Sequence, residues 1–223
     1  MTILIVFPRL GQAQRDARVQ VWAKRALELV DIDLEVRGQP PAEGPMLLVA
    51  NHISWLDISV MHAARHCRFV SKSVVRHWPL IGTLATGSGT LFIERESRRD
   101  AMRVVHQMAQ SLQAGDVLAV FPEGTTSNGV SLLPFHANLI QAAVATDSPV
   151  QPVALQFVEA ATGRLSLSPC YIGDDTLIGS IWRTLTGPPI TAVVSYGEPQ
   201  HARGRDRRTW AADLRDEVIR LRG

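Results

Sequence analysis

Short runs rich in Val, Ile, Leu and Phe recur along the chain at 33–36, 46–50, 68–71, 90–93, 117–121, 150–157 and 190–196, each the length of a β-strand. Apolar residues at helical spacing fill intervals between them at 57–65, 98–112 and 137–146, and a charged helical pattern closes the chain at 209–220. Strands that alternate with helices argue for an α/β fold. We therefore expect a single domain with a central, largely parallel mixed sheet flanked by helices, preceded by an amphipathic N-terminal helix. In such sheets the ligand crevice lies at the carboxyl ends of the strands. The chain has 223 residues and is 46% hydrophobic, enough to bury a sizeable core.

The N-terminal helix is read from 16–30, where Val19, Trp22, Ala23, Ala26, Leu27, Leu29 and Val30 recur at helical spacing while Arg15, Arg18, Lys24 and Arg25 stand largely elsewhere. Such a stripe covers the domain's own core or lies at an anionic membrane surface, and the pattern allows both. We divide the chain at this point into an N-terminal amphipathic, membrane-associating region, residues 1–36, and the main domain, residues 37–223. The opening run Met1 to Pro8 is far shorter than the roughly 20 apolar residues that span a bilayer. No transmembrane helix is expected, although Ile3 to Phe7 reads like the tail of a longer apolar segment.

A formal net charge of +2 is too small a bias to favour nucleic acid as a partner. Cys67 and Cys170 stand far apart and match neither a disulfide framework nor a zinc site. His62 and His66 have the four-residue spacing of helical metal ligands but lack the glutamate of the zinc-protease pattern, so no metal is expected.

The candidate chemistry sits where apolar strands stop. Asn51-His52-Ile53-Ser54-Trp55-Leu56-Asp57 follows the strand at 46–50. A neutral imidazole takes a proton from a hydroxyl when its other nitrogen is held by an acceptor, and His52 and Asp57 supply both halves if a helix begins near Ser54. Phe121-Pro122-Glu123-Gly124-Thr125-Thr126-Ser127 follows the strand at 117–121; Gly124 permits a tight turn, and the hydroxyls with backbone N–H groups can hold a phosphate or simply form a polar turn. Arg95 ends the stretch Gly89-Thr90-Leu91-Phe92-Ile93-Glu94-Arg95, and Lys72 ends another strand; each suits phosphate or a surface salt bridge. Val150 to Leu155 is apolar apart from Gln151 and would shape a wall.

These four stretches, in this order, resemble the motif set of the glycerolipid acyltransferases over roughly residues 51–155. The resemblance implies that His52 is the general base and Asp57 its orienting acid, that Arg95 binds an acceptor phosphate with help from Lys72, and that Glu123, Gly124 and Thr125 bind the acceptor. It implies transfer of a fatty acyl group from acyl-carrier protein or acyl-coenzyme A to the hydroxyl of a lysolipid, with no cofactor and no nucleic acid, at the cytoplasmic face of a bacterial inner membrane. Lysophosphatidate is the first expected acceptor. Many members continue the third motif with arginine where this chain has Thr126; some relatives that acylate lyso-ornithine lipid, an acceptor without phosphate, also look similar to this pattern, and that lipid is the second expected acceptor. Two readings of other classes are a thioesterase or lipid hydrolase in which His52 activates water, and a non-catalytic membrane-binding protein.

Overall fold

The computed structural model describes residues 7–78, 81–93 and 98–223. Strands β1 (Ile32–Arg37), β2 (Met46–Ala50), β3 (Arg68–Lys72), β4 (Leu91–Ile93), β5 (Val117–Val120), β6 (Val150–Glu159) and β7 (Ile190–Tyr196) form one sheet in the order β1-β7-β6-β2-β5-β3-β4. Neighbours are parallel except β6 and β7. Strands β2 to β6 therefore share a direction, and β1 and β7 run against them. The helices are α1 (Gln12–Leu29), α2 (Leu56–Ala64), α3 (Ile81–Gly87), α4 (Arg98–Gln113), α5 (Gln141–Thr146), α6 (Leu177–Thr186) and α7 (Arg207–Arg222).

Strand β2 is buried along its whole length, which is why it reads as a continuous apolar run rather than an alternating one. Its alternate residues feed two cores. Met46, Leu48 and Ala50 pack with Ala23 and Leu27 of α1 and Leu56, Val60 and Met61 of α2. Leu47 and Val49 face the other way, onto Met108 and Leu112 of α4, Ala142 and Ala143 of α5, and Trp210 and Leu214 of α7. The sheet is thus sandwiched between two helical layers, as the strand and helix alternation implied.

Helix α1 is fastened to α2 by polar bonds as well as by its apolar stripe. Gln20 Nε2 donates to the carbonyls of Ala63 and Ala64 at 3.3 and 3.1 Å, and Asp16 Oδ1 lies 3.1 Å from Nε2 of the buried His66. Burial would push the Asp16 carboxyl up, but its bonds to His66 and Gln12 outweigh that and hold it below the ordinary carboxylate range. Strand β1, directly after this helix, is the edge strand of the same sheet. His62 stacks on His66 with centroids 5.1 Å apart, and burial, reinforced by His66, pushes its pKa down to about 3. His62 is buried on α2 and His66 just beyond its end, and no group of three metal-ligating side chains forms among the described residues.

Two helices escape the sequence pattern. Helix α3 is short and has Gly82 in its first turn, and α6 follows a turn-rich stretch; Thr176 caps α6, accepting from the Gly179 N–H at 3.1 Å. The helix expected at 137–146 is split into a 3-10 turn, Ala137–Leu139, and α5. No described helix is long and apolar enough to cross a membrane.

Candidate active site

The loop from β2 into α2 is drawn into shape by one carboxylate oxygen. Asp57 Oδ2 accepts from the backbone N–H groups of Ile53 at 2.7 Å and Ser54 at 2.9 Å, and lies 2.7 Å from His52 Nδ1. Asp57 is fully buried in the first turn of α2, where the helix dipole favours its negative charge. Ser54 opens the helix by accepting the Leu56 N–H at 3.2 Å through its hydroxyl. With the carboxylate accepting, His52 carries its proton on Nδ1, which leaves Nε2 as the basic nitrogen. The imidazole is oriented a second time by Phe121, which stacks on it with centroids 4.1 Å apart and planes 8° from parallel. Phe69 stacks behind Phe121 at 5.6 Å.

The turn after β5 closes on this loop and holds the His52 backbone from both sides. Glu123 Oε1 accepts the His52 N–H at 2.8 Å, while the Ser127 N–H donates to the His52 carbonyl at 2.8 Å. The other carboxylate oxygen of Glu123 accepts from Leu133 N–H at 2.9 Å. Burial pushes the Glu123 carboxyl up, against the opposing pull of these two backbone donors. Gly124 has φ +73, in the left-handed region, and a Cβ there would sit 3.0 Å from Cδ2 of His136, so both conformation and space call for glycine.

A third segment, 166–172, braces both motifs from outside. Ser54 Oγ donates to the Pro169 carbonyl at 2.6 Å, Tyr171 N–H donates to the Ile53 carbonyl at 3.1 Å, and Thr126 Oγ1 donates to the Tyr171 carbonyl. Thr126, the position where an arginine was expected, thus turns its hydroxyl to the protein. Trp55 Nε1 donates to Ser180 Oγ of α6 at 3.2 Å, and Ser180 Oγ in turn donates to the Cys170 carbonyl at 3.2 Å.

The structure therefore brings His52, Asp57 and Glu123 together at the carboxyl ends of β2 and β5. Lys72 is exposed at the carboxyl end of β3, and Thr125 is exposed in the turn. Arg95 lies outside the described residues. Sequence reasoning missed the roles of Phe121 and of Asn51, whose amide bonds both the N–H and the carbonyl of Leu155 on β6, at 2.7 and 3.0 Å. It also missed the brace at 166–172. An asparagine closing an apolar run was the available signal for the second; nothing local marks the third, because its contacts reach 45 residues back to Thr126 and 115 back to Ser54.

The two engaged oxygens of Glu123 give a testable outcome. Removing the carboxylate in Glu123→Ala leaves two part-buried N–H groups without their acceptor, at about 1 kcal/mol each, so the thermal midpoint should fall by several degrees. Because His52 loses its backbone clamp, kcat should fall more than the acceptor KM rises. A raised KM with unchanged thermal midpoint would show contact with the acceptor instead.

Comparison with known proteins identifies the family and the fold. The family model described as Acyltransferase matches residues 32–156. A lyso-ornithine lipid O-acyltransferase from Pseudomonas aeruginosa is 38% identical over 197 residues, covering 88% of this chain and 75% of that protein. A 1-acyl-sn-glycerol-3-phosphate acyltransferase from Neisseria gonorrhoeae is 38% identical over 184 residues, covering 82% and 71%. The fold matches the crystal structure of the 1-acyl-sn-glycerophosphate acyltransferase PlsC from Thermotoga maritima with a TM-score of 0.70 at 22% identity, over 99% of this chain and 87% of that one.

Proposed function

Given that the chain belongs to the acyltransferase family, we propose that it moves a fatty acyl group from a thioester donor to the free hydroxyl of a lysolipid. The observation that carries this reading is the His52 Nδ1 to Asp57 Oδ2 contact of 2.7 Å, in which the carboxylate is fully buried and the imidazole keeps 21% of its side-chain exposure. Nε2 takes the proton of the acceptor hydroxyl as its oxygen bonds to the thioester carbonyl carbon. The carbon–sulfur bond breaks as the tetrahedral intermediate collapses, and the imidazolium returns its proton to the departing thiolate. Asp57 stabilises the imidazolium in between. Acyl-carrier protein or coenzyme A supplies the thioester, and the acceptor arrives from the cytoplasmic face of a membrane.

Lysophosphatidate is the first acceptor, with Arg95 and Lys72 on its phosphate, and Gly124 and Thr125 forming the turn against it. Glu123 acts through the His52 backbone. A lyso-ornithine lipid is the second reading, supported by Thr126, whose hydroxyl is held on the Tyr171 carbonyl where a cation would meet phosphate, and by the relative from Pseudomonas aeruginosa.

Purified protein given labelled acyl thioester and a panel of lysolipids should acylate lysophosphatidate. Free fatty acid accumulating while no lysolipid is acylated would overturn the transferase reading in favour of a hydrolase. Arg95→Ala should raise KM for lysophosphatidate about tenfold, the loss of one charge-assisted contact, and leave a lyso-ornithine acceptor nearly unaffected. Equal losses on both acceptors would remove Arg95 from the phosphate.

A further inference from the structure

A surface helix ordinarily turns its apolar stripe inward and its polar side to water. Helix α6 does the reverse. Ile178, Trp182 and Leu185, at i, i+4 and i+7, are 81%, 69% and 49% exposed, whereas Ser180 and Thr184 are its buried residues. The inward side is bonded to the protein: besides the Ser180 contacts, Thr184 Oγ1 lies 3.3 Å from the Ser168 carbonyl. Its cation is tied down as well, because Arg183 pairs with Asp175 at 3.0 Å and donates from Nε to the Ser168 carbonyl at 3.0 Å. The outward stripe is left apolar.

The topology places this stripe at the site. Strand β7 runs against β6, so Ile190 lies beside Glu159, at the end of the sheet where the His52 loop stands. Helix α6 ends just before β7 begins. Ile32 pairs in register with Ile190, so the carboxyl end of α1 reaches the same end, where Leu29 is 86% exposed. The outer face of α1 exposes Trp22 between Arg18 and Arg25, at i−4 and i+3. An uncovered apolar stripe flanked by a basic helix that bears a tryptophan complements one surface: an anionic headgroup layer above acyl chains.

We propose that α6 is a membrane-inserting helix, with Ile178, Trp182 and Leu185 seated among acyl chains while α1 meets anionic headgroups. This rests on the lysolipid acyltransferase reading, since that acceptor is drawn from the same bilayer. The hydrogen bond from Trp55 to Ser180 joins the inserted helix to the loop that carries His52 and Asp57, so docking holds the site at the lipid surface. The stripe is built from exposed side chains, so substituting it leaves the core intact.

The experiment compares the parent with the double variant Ile178→Glu/Trp182→Glu. Binding is measured on vesicles of anionic phospholipid mixed with phosphatidylcholine, and turnover on the same lysolipid acceptor in vesicles and on a short-chain, water-soluble analogue. The variant should bind vesicles at least about tenfold more weakly and lose turnover on vesicles in proportion, while turnover on the soluble acceptor stays within about twofold. In the parent, lipids brominated along the acyl chain should quench more fluorescence than in Trp182→Phe, a measurement that needs no charged substitution. Unchanged vesicle binding, or equal quenching in parent and Trp182→Phe, overturns the proposal. So does a parent dimer that the double variant dissociates without change in vesicle binding, since the stripe would then cover a second copy. A parent that acylates no acceptor defeats the enzymatic reading, while the vesicle and quenching results still decide the role of α6.

Discussion

His52→Ala should lower acyl transfer by at least a hundredfold, and by up to about ten-thousandfold, the range spanned by a positioned general base. The loss should appear in kcat, because the ring acts on the proton in flight and not on the bound ground state. Stability should change little, since the imidazole is partly exposed and the loop is held through the His52 backbone by Glu123 and Ser127. Steady-state kinetics on lysophosphatidate beside a thermal melt checks both parts. A variant that melts like the parent and retains its turnover would remove His52 from the reaction.

Asp57→Asn isolates charge from shape. The amide oxygen can occupy the place of Oδ2 and still accept from His52, Ile53 and Ser54, so the loop keeps its outline. The buried Oδ1 position then receives an NH2 group, where among the described residues the carboxylate oxygen has no hydrogen-bond partner. What disappears is the negative charge opposite the imidazolium that forms as the acceptor is deprotonated. A buried carboxylate in this role supports a rate factor on the order of ten-thousandfold in the serine-protease triad, and a loss of about a thousandfold or more in kcat is the expected result here. A kcat within tenfold of the parent would show that Asp57 shapes the loop without assisting the proton transfer.

The contact between His52 and Asp57 was legible because its geometry is local. Five positions separate His52 from Asp57, and one strand-to-helix turn returns the carboxylate to the ring. The strands were legible for a similar reason: β2 is buried on both faces, and a continuous apolar run is what such burial demands. The part played by Glu123 was hidden. Its partner lies 71 residues away, and a glutamate in a polar turn looks the same whether it meets a ligand or a neighbouring backbone. The Thr126 position shows the same limit, since only the fold reveals that its hydroxyl is turned to the Tyr171 carbonyl.

The amphipathic pattern of residues 16–30 left open whether its stripe met a core or a membrane. The structure divides it: Val19, Ala23 and Leu27 are buried, while Trp22 and Leu29 are exposed. Periodicity states that two faces differ, and it carries no sign. For α6 that missing sign is the whole question, because Ser180 and Thr184 were drawn inward by the 166–172 segment and the apolar side was left out.

By itself the sequence determined the α/β alternation, the strands that are buried through and through, and the imidazole–carboxylate pair, all of them properties of residues near one another along the chain. The tertiary structure decided the strand order, the antiparallel pairing of β6 with β7, the Glu123 clamp and the outward face of α6. Each of these depends on which distant segment offers a hydrogen-bond partner or a packing face, and burial couples such segments only once the sheet has assembled.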